Sequence, residues 1–165
     1  MSLPKLLILL ISHGLAIALG FAAGIYALPI LTAPPPPDPV AVAATMQGSA
    51  YRGEFSRDRT DSDALHWGEG ELSIGPDSVA FMGKLAPGPD YKLYLSPRFV
   101  ETEADFLQLK AEMEQIGDIK TFESFLLDLP EGVDPANYKA AIVWCESFSQ
   151  FITSATYEPV EHQDK

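Results

Sequence analysis

The residue in this chain best suited to chemistry is its single cysteine, Cys145, set in Ala141-Ile142-Val143-Trp144-Cys145-Glu146-Ser147-Phe148. A lone cysteine makes no internal disulfide and cannot build a cysteine-rich zinc or iron–sulfur site. As a thiolate it would be a nucleophile, a redox centre or a ligand, a state favoured by a nearby cation, helix N-terminus or metal. Kept protonated and buried, it behaves as a small hydrophobe. Alternation along a strand puts Val143, Cys145 and Ser147 on one face and Ile142, Trp144 and Phe148 on the other. Both faces are apolar, so the pattern does not say which looks inward. The adjacent carboxylate of Glu146 predicts a thiol pKa raised rather than lowered.

His66, in His66-Trp67-Gly68-Glu69-Gly70, is the second candidate. It could serve as a ligand, a base, or the partner of the thiol if the fold joins them. The plainer alternative is a strand-edge histidine whose ring bonds a backbone carbonyl. Gly68 and Gly70 suit a bulge or close backbone approach and, lacking a following helix, make no phosphate loop. His13, His66 and His162 are scattered with no pair at metal-ligand spacing, which predicts no structural metal site. His13 lies within an apolar segment and reads as a neutral imidazole bonded to a backbone carbonyl. With no nucleophile elbow, paired-carboxylate signature or nucleotide motif, nothing points to an independent enzyme.

The elements that must position these residues divide the chain into four stretches: an anchor (1–31), a proline- and alanine-rich linker (32–50), a β domain (51–158) and an acidic tail (159–165). From Leu6 to Leu28 run 23 residues without a charge, and about 20 apolar residues cross a bilayer core. A cleaved signal, with Ala22-Ala23-Gly24 as its site, has a shorter apolar core, so the expectation is an uncleaved span. Lys5 on the inner side sends the remainder outward, to the periplasm if the source is bacterial. Gly20 and Gly24, four apart, permit helix pairing. Pro34–Pro37 predicts a semi-rigid polyproline II spacer, continued by a loose tether over Ala41–Ala50.

Beyond the spacer, short alternating runs separated by Gly and Pro turns predict an all-β sandwich or barrel. Strands are expected at Tyr51–Phe55, Leu72–Ile74, Val79–Phe81, Tyr91–Leu95, Phe122–Leu129, Tyr138–Phe148 and Phe151–Tyr157. Tyr138–Phe148, apolar on both faces, should be central and buried. One helix is expected from Glu103 to Ile116, capped by Thr102, with Phe106, Leu109, Met113 and Ile116 on one face. Phe81, Tyr91, Tyr94, Phe122, Phe125, Tyr138, Trp144, Phe148 and Phe151 should form the core, or else wall a cofactor pocket.

Charge excludes some partners. All 23 acids and ten of the eleven bases follow Pro37, giving that part a net charge of −13. Such a surface repels nucleic acid and anionic lipid; it keeps a domain soluble or attracts basic partners and cations.

From Tyr51 to Tyr157 the chain resembles the DM-thirteen domain, a family described as electron-transferring. The residues that carry the likeness run in order: Gly53-Glu54-Phe55, His66 with Gly68 to Leu72, Pro89-Asp90-Tyr91 with Tyr94-Leu95-Ser96, Gly117-Asp118-Ile119-Lys120, Leu129-Pro130, Val133-Asp134, Tyr138, and Val143-Trp144-Cys145 with Phe148, Phe151 and Ala155. Phe122–Leu127 is more apolar than the family's usual version. The resemblance implies a β-rich extracytoplasmic module whose cysteine acts as a redox thiol or cofactor ligand. That role falls on Cys145, and more weakly on His66, with haem or no cofactor bound. No haem- or sugar-binding partner module accompanies the domain, so the expected electron donor is a separate protein. Two functions follow: a membrane-anchored redox accessory centred on Cys145, or a non-catalytic binding or scaffold module beside the membrane.

Overall fold

The computed structural model describes residues 2–160, so His162 and most of the expected acidic tail lie outside the described residues. Helix α1, Leu3–Thr32, is the apolar segment wound into 30 residues. It is long and apolar enough to cross a membrane, extending about 45 Å at 1.5 Å per residue. The His13 ring nitrogen Nδ1 lies 2.8 Å from the Leu9 carbonyl, so the imidazole is satisfied by its own helix. Four prolines end the run, because they can neither continue a helix nor let their predecessors stay helical.

The following stretch is not the loose tether expected of it. Asp38 accepts a hydrogen bond from the Val40 amide at 2.9 Å and caps helix α2, Pro39–Gln47. Val42 and Met46 of this helix are buried against Ala80. The alanine-rich composition that suggested a tether is that of a short docked helix.

Eight strands make the domain: β1 Tyr51–Phe55, β2 Gly68–Ile74, β3 Ser78–Leu85, β4 Tyr91–Ser96, β5 Glu114–Ile119, β6 Ser124–Asp128, β7 Ala140–Cys145 and β8 Gln150–Pro159. They form one sheet in the order β5-β4-β7-β8-β1-β2-β3-β6, with antiparallel pairing throughout. The sheet curls until its two end strands meet, Leu127 of β6 packing beside Gly117 of β5, and the result is a nearly closed barrel. Its interior holds Phe55, Leu72, Ile74, Phe81, Leu93, Phe125, Val143 and Ile152.

The outer face of β4, β7 and β8 is covered by helix α3, Glu103–Leu109. Thr102 caps α3, accepting from the Asp105 amide at 3.1 Å, and Phe106 and Leu109 pack on Tyr94, Ile142, Trp144 and Phe151. The helix is shorter than the spacing predicts. A turn of 3₁₀ helix at Lys110–Glu112 ends it, and Ile116 belongs to β5. Leu93 opposes Gly117 while Tyr94 opposes Gln115, leaving Ile116 as the extra residue of a bulge. That bulge turns Ile116 and Ile119 to the same side, reproducing in a strand the three-residue step of a helix.

Candidate functional site

Strand β7 is buried at every position, between β4 and β8. Its pleat sends Val143 and Cys145 into the barrel and Ile142 and Trp144 to the α3 side. Cys145 is the last residue of the strand, opposite Tyr91 on β4 and Gln150 on β8. The thiol therefore lies at one end of the barrel interior and is 3% exposed. The chain leaves β7 through a tight turn, Glu146–Ser149, in which Ser149 takes φ 52°. Asp90 pins this turn: its carbonyl accepts from the Glu146 amide at 3.0 Å, and its carboxylate from the Ser147 hydroxyl at 2.8 Å.

Burial raises the Cys145 pKa above its ordinary value, and the Asp90 charge adds to this. The nearby backbone amides of Phe148, Asp90 and Ser147 pull the other way without outweighing it. The resting thiol is protonated. Glu146 is not the cause, although it is the sequence neighbour. It lies on the α3 side, bound by Lys110 at 2.6 Å and by the Tyr94 hydroxyl.

His66 reaches the same end of the barrel from the long loop before β2. Ser62 and Arg59 tie this loop to β8, donating to the carbonyls of Ile152 and Ser154 at 2.9 Å each. Asp63 then organises the end of the loop: one carboxylate oxygen accepts from the Leu65 and His66 amides at 2.7 and 2.8 Å. The other lies 3.0 Å from His66 Nδ1. Burial works to raise the Asp63 pKa, but the bonds from His66 and Leu65 outweigh it and hold the carboxyl below its usual range. An ionised Asp63 only accepts, which assigns the proton to Nδ1 and leaves Nε2 of the neutral ring as a lone pair. The ring bonds a carboxylate, not the backbone carbonyl of the plainer sequence reading.

Cys145 and His66 line one cavity of about 340 Å³, within the usual range for small-molecule sites. Pro87, Gly88, Pro89 and Tyr91 form one side, Leu65, Phe148 and Gln150 the rim, and Ile25 and Tyr26 of α1 close the remainder. Gly88 is required here, because a Cβ at that position would lie 2.3 Å from the Tyr91 ring. Among the described residues no hydrogen bond joins the His66 ring to the sulfur, and no three His, Cys, Asp or Glu side chains converge to hold a metal. Tyr91 and Phe148 belong to the aromatic set that could wall a cofactor pocket, whereas Asp63, Asp90 and Tyr26 were not expected as site residues. The three-residue step from Asp63 to His66 and the turn Pro87-Gly88-Pro89-Asp90 are the signals that could have found them.

A haem needs an accessible axial donor and, for its propionates, cationic partners. The sulfur is nearly inaccessible, and the cavity lining holds neither lysine nor arginine. Thiolate and imidazole are the right donor types, but the site as built does not fit a haem, and no step is derived through one.

Fold and site together define an antiparallel barrel-like domain with a thiol and an imidazole at one mouth, preceded by an apolar helix. The family model described as Electron transfer DM13 matches residues 55–157, well over half of the chain, and the chain belongs to that family. No curated protein and no solved structure matches it.

Proposed function

We propose that this protein is a membrane-anchored electron-transfer accessory in which Cys145 is the reacting thiol and His66, held by Asp63, the neighbouring base. The observation that carries this reading is the convergence of Cys145 and His66 on one cavity in a chain of an electron-transfer family. Protonated at rest, the thiol is protected; proton removal towards the Nε2 lone pair would activate it. Helix α1 serves as the single span, with Lys5 inside and the β domain (51–158) outside the cytoplasm. Its electron partner is a separate redox protein, and no nucleic acid is involved.

The test is thiol exchange with oxidised glutathione on the purified full chain. A reversible mixed disulfide on Cys145 is expected, absent in Cys145→Ser and formed several-fold more slowly in His66→Gln. Burial of the thiol and its raised pKa favour the second reading, a binding module in which Cys145 is a core residue. Exchange only after unfolding would establish that reading instead. Protease accessibility of the β domain in intact cells tests the orientation.

A further inference from the structure

The cavity carries polar groups that the thiol chemistry does not use. Tyr91 is 3% exposed, and among the described residues no acceptor takes its hydroxyl, although the ring lies along the cavity wall. The hydroxyl oxygen itself is reachable from the cavity, so it is free to donate to a bound ligand. The other polar feature is the Nε2 lone pair of His66, left over once Nδ1 is committed to Asp63. The remaining surface is largely apolar, and its rim carries two large exposed hydrophobes, Leu65 at 59% and Phe148 at 50%. Tyr26 closes the cavity from α1, near the end of its uncharged segment, where an aromatic side chain marks the membrane–water boundary.

We infer that this cavity binds the ring of a lipid-soluble quinone or quinol drawn from the bilayer. The assignment rests on the electron-transfer reading and on α1 spanning the membrane. A flat ring with an oxygen at each end matches the site: Tyr91 donates to one oxygen, and His66 Nε2 accepts from the hydroxyl of the reduced form or, when protonated, donates to the carbonyl of the oxidised form. The apolar rim and the helix end place the mouth at the headgroup level, so a carrier in the hydrocarbon layer enters without crossing water. The net charge of −13 beyond Pro37 is no obstacle, because the tether and the apolar rim replace electrostatic attraction to lipid.

The experiment uses the full chain in phosphatidylcholine nanodiscs, with decylubiquinone as probe and decanol as the ring-free control. The readout is the rate of Cys145 alkylation by N-ethylmaleimide. Decylubiquinone is expected to slow labelling saturably while decanol does not. Tyr91→Phe and His66→Gln should each raise the half-protecting concentration, by between about three- and tenfold, with Tyr91→Phe keeping or raising the melting temperature. Equal protection by decanol would make the cavity an acyl-chain slot and overturn the inference, as would no protection by either. Glutathione exchange on Cys145 in the absence of quinone is scored separately, so failure of the redox reading and failure of the quinone site are told apart.

Discussion

Three consecutive residues, Trp144, Cys145 and Glu146, lead to two regions of opposite character. On the α3 side, Trp144 stacks on Phe106 at 3.9 Å, Phe106 meets Tyr94 edge-on at 5.2 Å, and Tyr94 bonds Glu146, which pairs with Lys110. The indole nitrogen of Trp144 and the hydroxyl of Ser154, opposite Ile142 on β8, have no partner among the described residues, so ring packing and the Tyr94–Glu146–Lys110 bonds hold this region together. At the barrel mouth Tyr91 and His66 line a cavity instead, and among the described residues the Tyr91 hydroxyl and His66 Nε2 take no protein partner. A region packed ring against ring holds the fold together, and one that leaves a cavity is where a ligand can bind. The contrast can be broken from either side.

The largest effect should come from the packed region. Trp144→Ala removes a fully buried indole and the Phe106 stack, and is expected to cost about 3–5 kcal/mol in denaturant unfolding. Smaller is Glu146→Gln, which leaves Lys110 without its charge partner. The pair is part-exposed, so the expected loss is only about 1 kcal/mol. Its pH dependence has a definite sign. Burial works to raise the Glu146 pKa, but the hydrogen bonds from Lys110 and Tyr94 hold it below its ordinary 4.5. Its contribution is therefore complete above that value and lost as pH falls through the lower folded value, and Glu146→Gln should flatten the acid limb of stability against pH.

At the mouth the sign is opposite. Burial, with the Asp90 charge, raises the Cys145 pKa above 9.0. From pH 9.0 up to its folded value the native state keeps a proton that the unfolded chain has lost, so stability falls with rising pH. Cys145→Ala should make that alkaline limb shallower, as read by denaturant melts between pH 8 and pH 10, a window taken about the ordinary thiol value. The smallest effect is expected of Tyr91→Phe, within about 0.5 kcal/mol of the parent because the deleted hydroxyl has no partner. A larger loss would mean that the hydroxyl is structurally engaged and the two regions are alike.

What was legible in the sequence follows from which interactions are local. Alternation in Tyr91–Leu95 and the continuous apolar run of Ile142-Val143-Trp144 marked strands β4 and β7 correctly, because pleat and burial act residue by residue. Strand β5 was hidden because a bulge gave Ile116 and Ile119 a helical step, and α2 because its burial depends on Ala80, thirty-four residues beyond Met46. The site was half legible. Cys145 and His66 stood out by type, but their meeting depends on loop anchors such as Ser62 to Ile152, ninety residues apart. Phe148 was assigned to the Trp144 face by alternation, yet β7 ends at Cys145 and the turn carries Phe148 to the cavity rim. The family likeness supplied what periodicity could not, the electron-transfer class itself.

In the redox reading proposed above, Cys145 is a protonated thiol, 3% exposed at rest, that reagents reach through the cavity without unfolding of the domain. This reading is tested most directly by the rate of iodoacetamide alkylation of the folded full chain across pH, measured beside its rate of global unfolding. Labelling is expected to be slow at neutral pH, to rise above pH 9.0, and to be faster at every pH than unfolding permits. Labelling that only keeps pace with unfolding would contradict it and leave Cys145 as a core residue.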